Sequence, residues 1–423
     1  MFWLQWQSSK TSQVQAIADK VGIGGNWNWP LKQLTCAQIV LHYEHMSIER
    51  HLKKFLVESS KSILLLGPRQ TGKSTLIKQL GPSVVINLAD QAEFTRFLAD
   101  AGLLRRIVGN TQKVMIDEIQ RIPSLLNTVQ ALIDENKSRQ FFLTGSSARK
   151  LRRGNANLLP GRVHAYSLGP LTPLELGKSF NIDKACRRGL LPEPYLDESP
   201  KSWQKTLRTY AATYLKEEIQ AESLTRNLEG FSRFFNIAAA WSGDFVDFTK
   251  LSSLAEIERT SAKRYFDILL DTLVVHRLDA FAKSEKVRLI QHPRFYFFDV
   301  GVLNGIMGEF EVPEDRIGRV FEHLVVQSII SIAQSLDKDV RTSVFRMQSG
   351  REVDLILEDG RNLFAIEIKA TKKVRESDFN GLSAFQNYYG KKHKSLLVSR
   401  DSKRQEFKQG LAIPFDDLWT ELG

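Results

Sequence analysis

Gly67-Pro68-Arg69-Gln70-Thr71-Gly72-Lys73-Ser74-Thr75 follows the apolar run Ile63–Leu66 and leads into a helical stretch. The spacing is G-x-x-x-x-G-K-[ST], and a strand before it and a helix after it are the context in which that spacing cradles phosphate. The glycines let the backbone curl so that successive N–H groups face phosphate oxygens. A helix beginning near Lys73 adds partial positive charge at its start. Lys73 is expected to reach the β- and γ-phosphates of a nucleotide, and the Ser74 hydroxyl to bind Mg²⁺.

Outward from this loop the pattern strand–loop–helix repeats. Val114-Met115-Ile116-Asp117-Glu118 is an apolar strand ending in two acids, which places both at the carboxyl edge of a sheet, where ligands bind. Asp117 is the expected outer ligand of Mg²⁺, and Glu118 the base that polarises the attacking water. Val84–Leu88, Phe141–Leu143 and Val163–Leu168 supply further strands of a parallel α/β sheet, with expected order 5-1-4-3-2. Thr144-Gly145-Ser146-Ser147 ends one of them in hydroxyls suited to orienting phosphate and water. Arg149, Lys150, Arg152, Arg153 and Arg162 follow; Arg162, in the turn Pro160-Gly161-Arg162, is favoured as an arginine finger in cis or in trans. A solvated or DNA-facing basic loop is the other reading of the same residues.

The 423 residues are 42% hydrophobic and 25% charged, which excludes a disordered chain and predicts two to four domains. Two cysteines, Cys36 and Cys186, make no disulfide framework, so a reducing cytoplasm is expected. No apolar run nears the roughly 18–20 residues of a membrane span, so no membrane partner is expected. The net charge of +11 favours polyanionic partners, nucleic acid first. Residues 1–45 hold four of the seven tryptophans and read as an accessory segment or an over-extended start; a helix is expected from Met46 to near Leu56. The first module spans 46–178, ahead of a polar linker containing Pro192, Pro194 and Pro200.

These motifs resemble the AAA+ superfamily of P-loop ATPases. They are most similar to a poorly characterised prokaryotic group in which Gly-Pro-Arg-Gln-x-Gly-Lys-[ST], Asp-Glu-Ile-Gln and Leu-Thr-Gly-Ser-Ser recur. That group carries a typical carboxyl domain, matched here by Tyr214–Ile219, Tyr296–Gly301 and Gly318–Glu322. The resemblance implies ATP and Mg²⁺ as cofactors and leaves a homo-oligomer open.

Residues 200–300 read as helical, and Phe248–Leu278 has the spacing of a winged helix–turn–helix. Leu251, Leu254 and Ile257 line one helix; Tyr265, Ile268, Leu269 and Leu273 line the next, with Ser261 as its N-cap. Arg259, Lys263 and Arg264 fall on an exposed face suited to phosphate contacts, and Val287–Ile290 and Phe295–Phe298 form the wing. A packing role for this unit is equally open.

Residues 301–423 carry Glu322 on a helix, Asp354 in one strand, and Glu367 and Lys369 two apart on the next. That spacing puts Glu367 and Lys369 on one face, and pairing of the strands would let Asp354 join Glu367 on a divalent metal. Hard carboxylate oxygens suit Mg²⁺ or Mn²⁺, with Lys369 activating water. Arg346, Gln348 and Arg351 precede Asp354 and suit a nucleic-acid backbone. The arrangement looks like the D…[DE]-x-K core of restriction-endonuclease-like α/β domains, with Glu322, Asp354 and Glu367 as its metal ligands. Metal-dependent cleavage under nucleotide control is one implied function. The alternative is a nucleotide-controlled DNA- or protein-binding switch with an inert nuclease-like domain.

Overall fold

The structure, a computed structural model, describes residues 48–146, 159–214, 228–281 and 292–422. The segment 1–45, Ser147, the basic residues Arg149 to Arg153, residues 215–219 and Val287–Ile290 lie outside the described residues. The first helix among the described residues, α1 (Lys53–Glu58), starts later than expected, after a turn at residues 51–52.

Five parallel strands follow, β1 (Ser62–Leu66), β2 (Val84–Asn87), β3 (Lys113–Asp117), β4 (Gln140–Gly145) and β5 (Val163–Ser167). Their order, β2-β3-β4-β1-β5, is the expected 5-1-4-3-2 read from the other edge. Helices α2 (Lys73–Lys78), α3 (Gln91–Ala99), α4 (Leu103–Val108) and α5 (Leu125–Glu135) cross between strands. Side chains alternate between the two faces, so Leu64, Val114, Ile116, Phe141 and Leu143 pack under α3 to α5. Ile63, Leu65, Met115 and Phe142 pack instead against α1 and α2. The strands are therefore near-continuous apolar runs because both faces are covered. The edge strands β2 and β5 are the exceptions: Val85 is 47% exposed, and only Tyr166 of β5 is buried.

The expected linker is helical. Thr172 and Glu175 form a capping box that opens α6 (Pro173–Leu176). Next come α7 (Ile182–Arg188), α8 (Pro192–Leu196) and α9 (Pro200–Thr209), continued by a π-turn at Tyr210–Tyr214. Pro192 and Pro200 sit in first turns, where a fixed φ and a missing N–H cost nothing, so these prolines start helices.

The middle contains three helices, α10 (Leu228–Ala240), α11 (Phe248–Leu254) and α12 (Arg259–Asp271), followed by the antiparallel strands β6 (Val275–Ala280) and β7 (Arg294–Phe297). An aromatic cluster holds it: Phe234 lies edge-on to Tyr265 and Phe266, and Phe266 stacks on Phe295 at 3.9 Å. Four expectations change here. Ile257 lies beyond the end of α11, and Leu273, at φ 60°, lies beyond the end of α12, so neither lines its helix. Leu254 is exposed, and α12 starts from Glu258 in extended conformation, which leaves Ser261 inside the first turn.

Helices α13 (Val300–Met307) and α14 (Glu314–Ser335) precede β8 (Val340–Arg346), β9 (Glu352–Asp359) and β10 (Asn362–Lys369). Then come α15 (Asn380–Tyr389), β11 (Lys394–Ser399), β12 (Gln405–Phe407), β13 (Gly410–Pro414) and α16 (Leu418–Leu422). The sheet has eight strands in the order β12-β13-β11-β10-β9-β8-β6-β7. It runs across the expected boundary at 300/301, because β6 pairs with β8 through Asp279 and Ala280. Phe321, Val325 and Ile329 of α14 cover one face, while Leu382 and Phe385 of α15 cover the other. No described helix is long and apolar enough to cross a membrane.

Candidate functional sites

The phosphate loop joins the carboxyl end of β1 to α2, with Gln70 and Gly72 both at positive φ, 62° and 93°. Gly67 is required by crowding: a Cβ there would sit 2.2 Å from the Leu168 carbonyl oxygen. Lys73, 5% exposed, folds back to donate to the Gly67 and Pro68 carbonyls at 2.9 and 2.8 Å. Thr71 donates to the Pro68 carbonyl at 3.0 Å and closes the loop. Tyr210 donates to the Arg69 carbonyl at 3.3 Å, so the π-turn touches the loop as well.

Parallel pairing brings the ends of β1, β3 and β4 together, and the expected partners meet there. Ser74 Oγ donates to Asp117 Oδ2 at 2.7 Å, and Thr144 Oγ1 donates to Asp117 Oδ1. The donor set, one hydroxyl and one carboxylate beside a phosphate loop, fits the hard-ligand demands of Mg²⁺. Glu118 takes a left-handed conformation, φ 57°, with its N–H donating to Thr144 Oγ1 at 3.2 Å.

Gln120 and Arg50 were not singled out by motif reading. A single 3-10 turn swings Gln120 back so that its amide donates to the Glu118 carboxylate and to Ser146 Oγ, the latter at 3.0 Å. Its only signal in sequence was its place in Asp-Glu-Ile-Gln. Arg50, 8% exposed, donates to the carbonyls of Thr71 (2.7 Å), Gly169 (2.9 Å) and Pro170 (3.0 Å). It also pairs with the fully buried Glu175 carboxylate at 3.0 Å. The contacts with Gly169, Pro170 and Glu175 bridge more than 100 residues of chain, and nothing near Arg50 in sequence announces them.

Arg162 is not brought to the loop. It precedes β5, and the register Ser62↔Val163 sets it at the amino end of the sheet, with the phosphate loop at the carboxyl end. Four strand steps of ~3.3 Å separate those edges. Its guanidinium instead clasps Asp134 in two bonds of 2.7 and 2.8 Å, which removes the expected cis finger.

In the carboxyl sheet, Glu322, Asp354, Glu367 and Lys369 do come together, with one residue that sequence reasoning missed. Arg294 of β7 places Nη1 3.1 Å from Glu322 and 3.5 Å from Asp354, and Nη2 3.1 Å from Glu352. Tyr296 donates to Glu322 at 2.7 Å. Asp354 Oδ2 accepts from the Ile368 N–H at 2.8 Å, and Lys369 donates to Glu367 Oε1 at 2.6 Å. Burial, reinforced by the Asp354 charge, raises Glu322 to about 7. The same two causes hold Glu367 well above the usual carboxylate range. Burial works against the Lys369 charge, yet Glu367 and Asp354 outweigh it and raise the amine.

These residues do not fit the expected Mg²⁺ or Mn²⁺. Glu322 Oε1, both Asp354 oxygens and Glu367 Oε1 are taken up by Arg294, Tyr296, Lys369 and a backbone N–H, while Glu367 Oε2 is buried without a hydrogen-bond partner. Among the described residues no group of three or more His, Cys, Asp or Glu is placed to hold a metal ion. Arg346 is drawn inward too, 3.6 Å from Glu352 and over the Phe245 ring, while Gln348 and Arg351 stay exposed. His323 is a core residue, bonded to the Phe297 carbonyl at 2.7 Å and lowered to about 4 by burial. Burial pushes the Cys186 thiol up to about 12, which makes it inert.

Residues 59–176 match the family model of the AAA domain. The match and the phosphate-loop geometry together support an AAA-type ATPase. Residues 179–311 match a domain of unknown function, DUF8612, and residues 317–418 match another, DUF4143. Uncharacterized proteins of Mycobacterium tuberculosis and Mycobacterium bovis are each 27% identical over 317 residues, covering 73% of this chain and 70% of theirs. One solved structure is a Signal Transduction ATPase with Numerous Domains protein with a tetratricopeptide repeat sensor from Pyrococcus horikoshii. It is 14% identical with a TM-score of 0.22, and the match covers 67% of this chain and 46% of that one. A protein from Vibrio cholerae is 11% identical with a TM-score of 0.20, covering 86% and 97%. Neither superposition is close enough to carry an argument.

Proposed function

We propose that the chain is an ATP-hydrolysing switch that engages nucleic acid through its winged helix, with the carboxyl lobe a nuclease-shaped platform that does not cleave. The carrying observation is the joint placement of Lys73, the Ser74–Asp117 pair and a Glu118 held by Gln120 at one sheet edge. Lys73 would leave the Gly67 and Pro68 carbonyls for phosphate oxygens, an exchange of one set of acceptors for a charged one. Ser74 and Asp117 would hold Mg²⁺, which supplies charge neutralisation across the phosphates. Glu118 would accept the proton of the attacking water, its side chain fixed by the Gln120 amide.

The nucleic-acid part is supported by α12, whose Arg259, Lys263 and Arg264 are all exposed. A cleft of about 400 Å³ beside it sets Arg259, Lys263 and Arg277 against Asp247 and Asp267. Phosphate contacts of this kind position a duplex without reading it. The test is binding of labelled DNA by anisotropy as salt rises, with ATP turnover measured alongside. Arg259→Glu with Lys263→Glu should weaken binding and its salt slope together. Unchanged binding would move the partner to a protein, and Asp354-dependent cleavage of DNA or RNA with Mg²⁺ or Mn²⁺ would restore the nuclease.

A further inference from the structure

We infer that Arg294 is a built-in cation: it occupies the acid cluster of the carboxyl lobe and keeps divalent metal out. This deepens the reading of that lobe as a platform. Its test is metal binding, which can fail while ATP turnover and DNA binding stand.

Arg294 is 4% exposed and lies in β7, not on a surface loop. Three carboxylates, Glu322, Glu352 and Asp354, take its two terminal nitrogens, and the Phe245 ring lies 4.2 Å from the guanidinium on one side. A planar fork of donors suits several carboxylates at once, as a metal ion otherwise would. The remaining charges are also matched internally. Lys369 takes Glu367, and Arg346 takes the second oxygen of Glu352. Three cations therefore stand against four carboxyls, and little field is left to draw an ion of charge +2 from water.

Packing is close on the Gly381 side, where an added Cβ would sit 1.9 Å from the Glu352 carbonyl oxygen and 3.0 Å from Glu367 Oε2; that oxygen is the one in the cluster that is buried without a hydrogen-bond partner. Arg294 Nε is likewise buried without a partner, so the guanidinium is held by its two ends and has no donor into solvent at that atom. A metal ion bridging Glu322 and Asp354 would have to displace the guanidinium that now bridges them. The strand bearing Arg294 pairs with β6, and β6 with β8, so the cation is delivered by the winged helix to the carboxyl sheet. Removing the charge while keeping the stem should leave a cluster of carboxylates with hard-ligand character and no counter-ion.

The experiment counts bound Mn²⁺ by electron paramagnetic resonance on the nucleotide-free full chain, reading differences between variants. Wild type and Asp354→Asn should bind the same number of ions. Arg294→Met should bind an extra Mn²⁺ that is lost in the double variant with Asp354→Asn, and Arg294→Lys should bind no extra ion. A wild-type Mn²⁺ that disappears in Asp354→Asn overturns the inference, as does a folded Arg294→Met with no added ion. If Arg294→Met does not fold, the comparison of wild type with Asp354→Asn still decides the matter: equality supports exclusion and a lost ion refutes it.

Discussion

Replacing Arg50 by Met should loosen both the amino-terminal module and its phosphate loop. The guanidinium holds three backbone carbonyls and the Glu175 carboxylate, with side chains 8% and 0% exposed. Breaking a buried ion pair from one side costs about 3–5 kcal/mol, because the abandoned charge stays in the core. Glu175 keeps the N–H groups of His51 and Thr172, at 3.0 and 2.9 Å, so the lower end, about 3 kcal/mol, is expected. One of the lost bonds, at 2.7 Å to the Thr71 carbonyl, tethers the loop itself. A charge-assisted bond of that kind is worth roughly 1.5–3 kcal/mol, so nucleotide affinity should fall about tenfold to a hundredfold. Urea unfolding followed by circular dichroism gives the first number, and titration with a fluorescent ATP analogue gives the second. A double-mutant cycle with Glu175→Gln should show coupling above about 1 kcal/mol. A loss of stability under about 1 kcal/mol with unchanged affinity would refute the clamp.

Asp299 caps α13 and accepts from the Leu190 N–H at 2.6 Å, yet burial raises its carboxyl from 3.8 to about 6. A folded value above the unfolded one means the folded chain binds the proton more tightly. This group's contribution therefore improves as pH falls from about 6 to about 4, by up to roughly 3 kcal/mol. The stability difference between wild type and Asp299→Asn should move that way in urea midpoints across the range; a flat difference would reject the raised value. Gly67→Ala should abolish ATP binding in calorimetry and lower the thermal midpoint, because its Cβ meets the Leu168 carbonyl at 2.2 Å; normal binding would show that the loop can shift. Arg162→Ala breaks only the solvent-screened pair with the half-exposed Asp134, so it should leave the thermal midpoint and turnover nearly unchanged. A large loss of turnover would point to a finger acting on a neighbouring copy.

Much of the amino-terminal module was legible because its signals are short-range. Apolar runs of four to six residues are strands, and glycines, a lysine, a hydroxyl and acids at their carboxyl ends meet by parallel pairing alone. What escaped depends on distant chain. Arg50 meets carbonyls that lie 119 and 120 residues away, and Arg294 meets acids 28 and 60 residues away, with no local periodicity to mark either. Pairing of β6 with β8 is a register choice that neither strand's composition declares, so the sheet's passage across residue 300 was invisible. The prolines misled in a different way. Their fixed φ serves a first helical turn as well as a linker, and the capping partners decide which. Glu322, Asp354, Glu367 and Lys369 were found by spacing, but spacing says nothing of what fills the space between them.

The central claim is that Lys73, Ser74, Asp117 and Glu118 form a hydrolytic ATP site. The most direct measurement is ATP turnover beside ATP binding in wild type, Lys73→Ala and Glu118→Gln. Wild type should hydrolyse, Lys73→Ala should lose binding and turnover, and Glu118→Gln should bind ATP while turnover falls about 10²- to 10⁴-fold. Full turnover in folded Glu118→Gln would contradict the assignment of the base, and full turnover in folded Lys73→Ala would contradict the site.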